Sequence, residues 1–510
     1  MKLITTITMS LLLFLNSITS QTLDTTFGTN GVVVTDLTTQ VDAIGDLVVR
    51  DNGKIVASGI GGSFISLTQY LSNGTIDNSF GNNGKLVTNF RSSFVNGAFS
   101  PIAIQPDGKI LLCVNNNIQN VNNLVLARYN ANGTALDSSF GTNGIINNNL
   151  FNGFGNSRSI TDMDLLSDGK IIVTVNTSIN KILLYRFNSD GTLDLTFGLN
   201  GISSITVPVD YTYFYSSDTS INANGNIVLL TSITDSMYSN INFAIVQLNP
   251  EGIINIDFGN NGIVIGDLGT TNNDYPKDIR LQDNGKIIVS GFTMMTSSNR
   301  NFIIMRYNAN GSLDTSFNTT GITTLSIGGS NTNMIEDLFI DSNGKIAVIG
   351  SIGHDFACLR LNDDGTIDAS FGLNGIYKKD FGNASYDYGT KIYQQSDGKY
   401  VIAGYTSFFC SDRAFGLTRI SSTQSLNSDE FENSNETVKI YPNPTTSIVN
   451  VNCNTTIHRL ELFDIQGRIL ETNLVQESNS KIDVSSRPKG VYFLKIETQQ
   501  GSKVKKIIKQ

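Results

Sequence analysis

The sequence predicts an all-β chain: a seven-bladed β-propeller followed by a small β-sandwich. Three observations lead there. A phrase of the form Leu-Asp-x-Ser/Thr-Phe-Gly-x-Asn-Gly recurs seven times, its aromatic falling at Phe27, Phe80, Phe140, Phe197, Phe258, Phe317 and Phe371. A second phrase, Asp/Asn-Gly-Lys-Ile, recurs out of phase with it, and a third, of the form Arg-Tyr-Asn, keeps a fixed place between them at Gln69, Arg128, Arg186, Gln247, Arg306, Arg360 and Arg419. No window between these phrases carries a helical period. Self-similarity of this kind denotes a solenoid, a propeller or an array.

One unit shows the strands. In it, 262–267 is apolar and extended, 278–282 alternates, 283–286 turns, 287–293 is β-branched and small, 302–308 is apolar, and 309–311 turns the chain into 313–317. Four to five short strands per unit fit a four-stranded propeller blade. A β-solenoid would use shorter coils, and Ig-like domains need about 100 residues each.

The hairpin loops allow a sharper expectation. Asn308-Ala309-Asn310-Gly311 and Asn362-Asp363-Asp364-Gly365 suit a type I turn followed by a left-handed glycine. Residues eight apart then face each other: Arg186 opposes Asp194, Arg306 opposes Asp314, and Arg360 opposes Asp368. Arg128 and Asp137 are nine apart, so that loop is one residue longer. In one unit both charges are gone, Gln247 facing Asn255, while Gln69 with Asp77 breaks the pattern. Opposite charges across a ladder contribute about 0.2–1 kcal/mol, and a structural role is expected for these pairs. Asp24 opens the series without an Arg-bearing strand before it, and Arg419 closes it without a Leu-Asp phrase after it. The segment 23–31 is therefore expected to pair with the strand around Arg419, placing Asp24 beside Arg419 and removing two open edges.

Composition bounds the function. Charged residues are 15% of the chain, against about 25% ordinarily, and the net charge is −9. Without a basic face, nucleic acid is not an expected partner. His354 and His458 are the only histidines, and Cys113, Cys358, Cys410 and Cys453 form no CxxC pair. No catalytic, cofactor or metal site is expected, and no cofactor. Asn362–Gly365 resembles a calcium loop but lacks the later Glu. Gly59–Gly62 follows a strand but opens no helix, so it is no phosphate loop. One-off features are the better site candidates: His354-Asp355, and the aromatic runs 211–215 and 386–388, which could stack on sugars or pack between blades. The expected function is extracellular binding or adhesion with an unknown glycan or protein ligand. The alternatives are an enzyme acting on an extracellular polymer and a purely structural surface protein.

The two ends state a destination. Lys2 and an apolar stretch centred on 11–15 read as a secretory signal, with cleavage expected between Ser20 and Gln21. No later segment reaches about 18 uninterrupted apolar residues, so no transmembrane helix is expected in the mature chain. The expected organisation is signal 1–20, propeller 21–421, linker 422–437 and C-terminal domain 438–510. That last domain carries 11 basic and 6 acidic residues on a chain that is otherwise acidic.

Within it, Tyr441-Pro442-Asn443-Pro444, Leu462-Phe463-Asp464-Ile465-Gln466-Gly467-Arg468, Pro488-Lys489-Gly490-Val491-Tyr492-Phe493-Leu494 and the Lys-rich end resemble the type A sorting domain of the type IX secretion system. The resemblance implies a Bacteroidota source, the type IX machinery as partner, passage through the periplasm, and release or attachment at the outer cell surface. The repeat itself resembles the delta-60 family of bacterial surface repeats, which implies an architecture but no defined ligand.

Overall fold

The computed structural model describes residues 23–38, 41–91, 100–118, 121–147, 159–177, 181–206, 211–235, 241–266, 273–296, 299–326, 333–382, 386–408, 412–421, 438–464, 469–498 and 501–510. Contacts divide the chain into two compact units at Gln424/Ser425.

The first unit holds seven four-stranded antiparallel sheets. In chain order, blade 1 comprises Asp42–Val49, Ile55–Gly61, Phe64–Tyr70 and Lys85–Arg91. Blades 2 to 6 begin at Ile102, Ser159, Tyr211, Asn273 and Met334, each with its four strands consecutive in sequence. Blade 7 is composite. Tyr386–Gln394, Tyr400–Phe408 and Asp412–Ile420 are completed by Val32–Thr35 from the other end of the chain. The register there runs Val32↔Thr418, Val33↔Leu417, Val34↔Gly416 and Thr35↔Phe415. Upstream, Leu23 bridges Ile420, and the Asp24 amide donates to the Arg419 carbonyl at 2.8 Å. The pairing strand is thus the four residues just beyond 23–31, while 23–31 itself contributes the bridge and the turn. First strands of successive blades touch in order, and that of blade 7 touches that of blade 1, so these strands line the centre of a closed ring.

The repeated phenylalanine explains why the blades stack. A blade is a sheet with two apolar faces and must bury both. Seven apolar clusters fill the seven junctions, and each contains one repeat Phe, at most 1% exposed. Burying such a side chain is worth about 1.5–3 kcal/mol. The next blade's hairpin turns directly over the aromatic ring. A Cβ at Gly133 (φ 67°) would lie 2.4 Å from the Phe80 ring, so this position needs glycine for space as well as for its positive φ.

The fifth short segment of each unit is not a strand. Leu313 makes a single bridge to Tyr307 and the chain then turns, ending in a 3-10 turn at Phe317–Thr319. The cause is local: Asp314 Oδ1 accepts both the amide and the hydroxyl of Ser316, which bends the backbone away from the ladder.

The second unit is a five-stranded sheet of Val438–Tyr441, Ile448–Phe463, Ile469–Asp483, Gly490–Thr498 and Gly501–Lys509. Alternate residues, among them Val449, Val451, Leu460, Leu462, Leu494 and Ile496, enclose its core. Ile448–Phe463 is one continuous strand whose register with its neighbour shifts between Asn452 and Arg459. The strand Ile469–Asp483 escaped pattern reading because most of its side chains face solvent, Leu474 being 84% exposed.

Candidate functional site

The residues of the three repeated phrases converge on one cluster per blade. In blade 5, Asp314 Oδ2 accepts Arg306 Nε at 2.6 Å and Lys286 Nζ at 2.8 Å. The Arg306 guanidinium lies 4.8 Å above the Phe317 ring and donates from Nη1 to the Asp363 carbonyl of the next blade's hairpin. Burial pushes the Asp314 carboxyl up, but Lys286, Ser316 and Arg306 together outweigh it and hold it well below the usual carboxylate range. The same geometry recurs at Arg186–Asp194 (2.7 Å, with Lys170 at 2.9 Å) and at Arg360–Asp368 (2.8 Å, with Lys345). Arg128 and Asp137, nine apart, meet at 2.8 Å. At the closure Arg419 Nε donates to Asp24 Oδ2 at 2.8 Å, Lys399 reaches the same oxygen at 2.8 Å, and Arg419 Nη1 donates to the Ser72 carbonyl of blade 1. The repeated arginines therefore tie blade to blade, through bonds to the carbonyls of the next blade's hairpin.

Two blades solve the problem differently. In blade 1 Gln69 stands at the arginine position, and the guanidinium comes from Arg50 instead. Arg50 donates to Gln69 Oε1 (2.8 Å), the Gly108 carbonyl (2.9 Å) and the Ala131 carbonyl (2.8 Å) of blade 2. In blade 4 the lysine, arginine and aspartate are all replaced, by Asn226, Gln247 and Asn255. Asn255 Nδ2 donates to Gln247 Oε1 at 2.6 Å, a neutral pair that needs no counter-ion.

The channel carries a second ring of charge, which sequence reading missed. Most innermost strands have a bulge seven or eight residues before the Asp/Asn-Gly-Lys turn. The residue after it is Asp46, Asp162, Asp218, Asp278 or Asp337 in five blades and Lys391 in blade 7; Pro101 holds the aligned place in blade 2. Each aspartate accepts an amide of the next blade: Ile102 N to Asp46 (2.8 Å), Thr219 N to Asp162 (2.9 Å), Ile279 N to Asp218 (3.3 Å), Leu338 N to Asp278 (2.8 Å) and Ile392 N to Asp337 (2.8 Å). Arg280 bridges Asp218 and Asp278, both at 2.6 Å, and reaches Asp337 at 3.3 Å. Lys391 lies 3.2 Å from Asp337 and 3.9 Å from Asp46. Desolvation in the narrow channel and then the Asp218 charge raise Asp162 well above its usual range and Asp164 to about 7. The available signal was an Asp at a fixed offset before five of the seven turns.

On the face bearing the second-to-third-strand hairpins and the blade-to-blade connections, His354, Asp355 and Tyr386 have no repeat counterparts, whereas Asp380 and Asp387 recur in sequence as Asp36 with Asp42 and Asp267 with Asp274. Exposed His354 packs edge-on against Tyr386, 4.2 Å between centroids, and Tyr386 is 43% exposed. Carboxylate oxygens of Asp355, Asp380 and Asp387 lie within 4.8 Å of one another. Asp387 accepts the Phe381 amide and Asp355 pairs with Lys378 at 2.7 Å. Beside them Tyr388 stacks on Tyr405 (5.0 Å) under the Arg413 guanidinium (4.7 Å). Of the run 211–215, the structure gives a strand and a half-buried Tyr211. The acidic hairpin Asn362–Gly365 works as a turn, Asp364 Oδ1 accepting the Thr366 amide and hydroxyl. Cys113 and Cys358 are buried free thiols, Cys453 is buried with its Sγ 3.3 Å from Thr455 Oγ1, and Cys410 lies outside the described residues.

In the C-terminal unit, the Asn443 side chain donates to the Lys506 carbonyl and accepts the Ile508 amide, so Tyr441–Pro444 packs across the last strand. Tyr492 Oη donates to the Pro488 carbonyl at 2.8 Å, and Gly490 opens the strand that carries it. Gly467, Ser20 and Gln21 lie outside the described residues. Among the described residues no helix is long and apolar enough to cross a membrane.

Residues 439–510 match the secretion system C-terminal sorting domain. Residues 105–140, 166–197, 282–317 and 342–371 match the domain of unknown function (DUF5122) beta-propeller. These are units of blades 2, 3, 5 and 6; the unmatched blades are the two with altered clusters and the composite one. No curated protein matches the chain. Solved structures similar to it include the polysaccharide lyase Uly1 (12% identity, 74% of this chain and 89% of that one, TM-score 0.46). A protein of unknown function from Dyadobacter fermentans is also similar (11%, 77% and 98%, 0.41). A third is PorZ, a surface component of the type-IX secretion system of Porphyromonas gingivalis (12%, 95% and 70%, 0.30). The chain thus carries DUF5122 β-propeller repeats and a C-terminal sorting domain of the type IX secretion system, and that sorting domain implies export to the cell surface or the extracellular space.

Proposed function

We propose that the mature chain is an extracellular binding module that recognises a glycan or protein ligand through the hairpin-and-connection face of blades 6 and 7. One observation carries this reading. The arginines and aspartates of the repeated clusters bond within and between blades, whereas His354, Asp355 and Tyr386 are unrepeated, share one face and include exposed side chains. Tyrosine presents a large apolar surface with a polar tip and is favoured at recognition sites. The reading includes a signal removed between Ser20 and Gln21, a linker at 422–437, and a delta-60-type repeat of Bacteroidota origin. A second reading, cleavage of an extracellular polymer, draws on the approach of Asp355, Asp380 and Asp387.

The test is binding of the mature full chain to a panel of surface glycans and extracellular protein extracts. Saturable binding to one class, weakened at least tenfold by Tyr386→Ala with His354→Ala, supports the module. Shortening of an arrayed polymer supports the enzyme. Silence from a well-folded chain leaves a structural surface role.

A further inference from the structure

The second strand of blade 6 is shorter than those of its two neighbours. Ile346–Ile352 has seven residues, and the Ile352↔Asp355 pair leaves only Gly353 and His354 to turn the chain. The second strands of blades 5 and 7, Ile287–Thr296 and Tyr400–Phe408, have ten and nine. The hairpin-and-connection face is therefore recessed over blade 6, where a Cβ at Gly353 would meet nothing within 4 Å. On the blade 5 flank, Phe292 belongs to the core shared with blade 6 and stacks on Tyr275, 4.9 Å between centroids. The Arg300 guanidinium lies 4.9 Å above the Phe292 ring, and Lys277 Nζ lies 6.0 Å from the same ring. Lys277 has a counter-ion, Glu336 of blade 6 at 3.0 Å. Arg300 has none: among the described residues its half-buried side chain makes no ion pair or hydrogen bond, and its Nε is shut off from solvent. A guanidinium so placed calls for an explanation. The blade 7 flank carries Tyr386 against His354, and Tyr388. Desolvation raises the Tyr388 hydroxyl, the Arg413 charge opposes this, Tyr386 adds to it, and the Arg300 charge opposes it again. Arg300 thus acts across the recess on blade 7.

We infer that this recess binds an acidic sugar unit of a polysaccharide, its carboxylate or sulfate group on Arg300 and its ring against the flanking tyrosines. The inference rests on the reading of this face as the recognition surface and names the ligand class. A guanidinium takes such an anion through two parallel N–H bonds, and stacking on Phe292 holds its plane in place beforehand. Two cations share the Phe292 ring with one carboxylate, Glu336, so this flank carries an uncompensated positive charge. The acids on the other flank are engaged: Asp355 with Lys378, Asp380 with the Gly382 amide and Asp387 with the Phe381 amide. The chain as a whole carries −9, so a polyanion gains nothing from the surface at large and must be held locally. The rings favour a sugar over an acidic peptide. Tyr386 is 43% exposed and Tyr275 half-buried, and flat apolar faces beside a charge suit a pyranose that bears an anionic group.

The experiment is calorimetric titration of the mature full chain at low and at high salt. The probes are a galacturonic acid trisaccharide, a sulfated galactose trisaccharide, the neutral galactose trisaccharide and a blocked Glu-containing tripeptide. The expected result is saturable binding of at least one acidic sugar, weaker at high salt and at least tenfold weaker in Arg300→Gln. Lys277→Gln should lose less, and Arg91→Gln, an exposed arginine over Phe64 in blade 1, should lose nothing. Tighter binding of the galacturonate assigns the anion as a carboxylate, and tighter binding of the sulfated sugar as a sulfate. Equal binding of the neutral sugar, or tighter binding of the tripeptide, overturns the inference. So does acidic-sugar binding indifferent to both Arg300→Gln and Lys277→Gln in variants whose melting temperatures are unchanged, or no binding of either acidic sugar. A neutral glycan or a protein bound through Tyr386 without Arg300 would overturn the ligand class alone and leave the recognition face standing.

Discussion

Replacing Asp314 by Asn tests the repeated cluster at its most connected atom. Oδ2 receives Arg306 Nε at 2.6 Å and Lys286 Nζ at 2.8 Å, while Oδ1 receives the Ser316 amide and hydroxyl. The substituted side chain would keep the Ser316 bonds but present an amide N–H₂ to two cations. Lys286, 30% exposed, can turn to water, so its share is about 0–1 kcal/mol. Arg306, 5% exposed, cannot, and leaving a buried charge without its partner costs about 3–5 kcal/mol. Blade 4 shows the neutral solution, so the triple change Lys286→Asn, Arg306→Gln, Asp314→Asn should recover much of the loss. It still forfeits the cation–π contact with Phe317, about 0.5–1 kcal/mol, and the bond to Asp363. Scanning calorimetry of the mature chain should show Asp314→Asn melting about 4–8 °C lower, from roughly 1–2 °C per kcal/mol in a propeller of this size, and the triple variant falling by less than half of that. A triple variant less stable than Asp314→Asn would refute the reasoning.

Other outcomes follow from the same geometry. Arg50→Gln should destabilise the chain by about 2–4 kcal/mol, because three hydrogen bonds from a charged donor are lost. Adding Gln69→Arg should restore most of it by recreating the blade 2 arrangement, and melting temperatures give the order. Gly133→Ala should cost more than about 2 kcal/mol through its clash with Phe80, whereas Gly353→Ala, which shares a positive φ but meets nothing within 4 Å, should cost about 1 kcal/mol or less; comparison of the two melts separates space from backbone strain. Stability should also peak in mildly acidic solution. The raised channel carboxyls, including Asp164 at about 7, penalise the folded state when charged, and this penalty fades as pH falls from about 8 towards 5. The depressed hairpin carboxyls, including Asp368 at about 2, contribute stability that is present above the unfolded value near 4 and is lost below it. A melting temperature rising steadily from pH 4 to 8 would contradict this, and Asp164→Asn should flatten the limb between pH 5 and 8.

The fold was readable because each repeated residue has one mechanical role that its spacing reveals. Phe317 and its six counterparts fill the junctions, and the eight-residue separation of Arg306 from Asp314 follows from hairpin geometry alone. Arg50 escaped notice because its partners, Gln69 and the Ala131 carbonyl, are joined to it only through the stacking of two blades. The channel ring was hidden for the same reason: Asp218, Arg280 and Asp337 come from three blades and meet only when the ring closes. His354 and Asp355 stood out as unrepeated, but their approach to Asp380, Tyr386 and Asp387 depends on the course of a blade-to-blade connection that no local pattern encodes.

Ring closure by Val32–Thr35 is the claim on which the blade count, the channel and both faces depend. Val33 and Leu417 are directly opposite in that register and share one core cluster. Val33→Cys with Leu417→Cys, oxidised mildly and analysed by non-reducing electrophoresis and peptide mapping, should give an intramolecular disulfide between those two positions in a monomer. It should also raise the melting temperature, because a loop of this length removes much denatured-state entropy. Persistent free thiols, or disulfides only between molecules, in a folded chain would contradict closure.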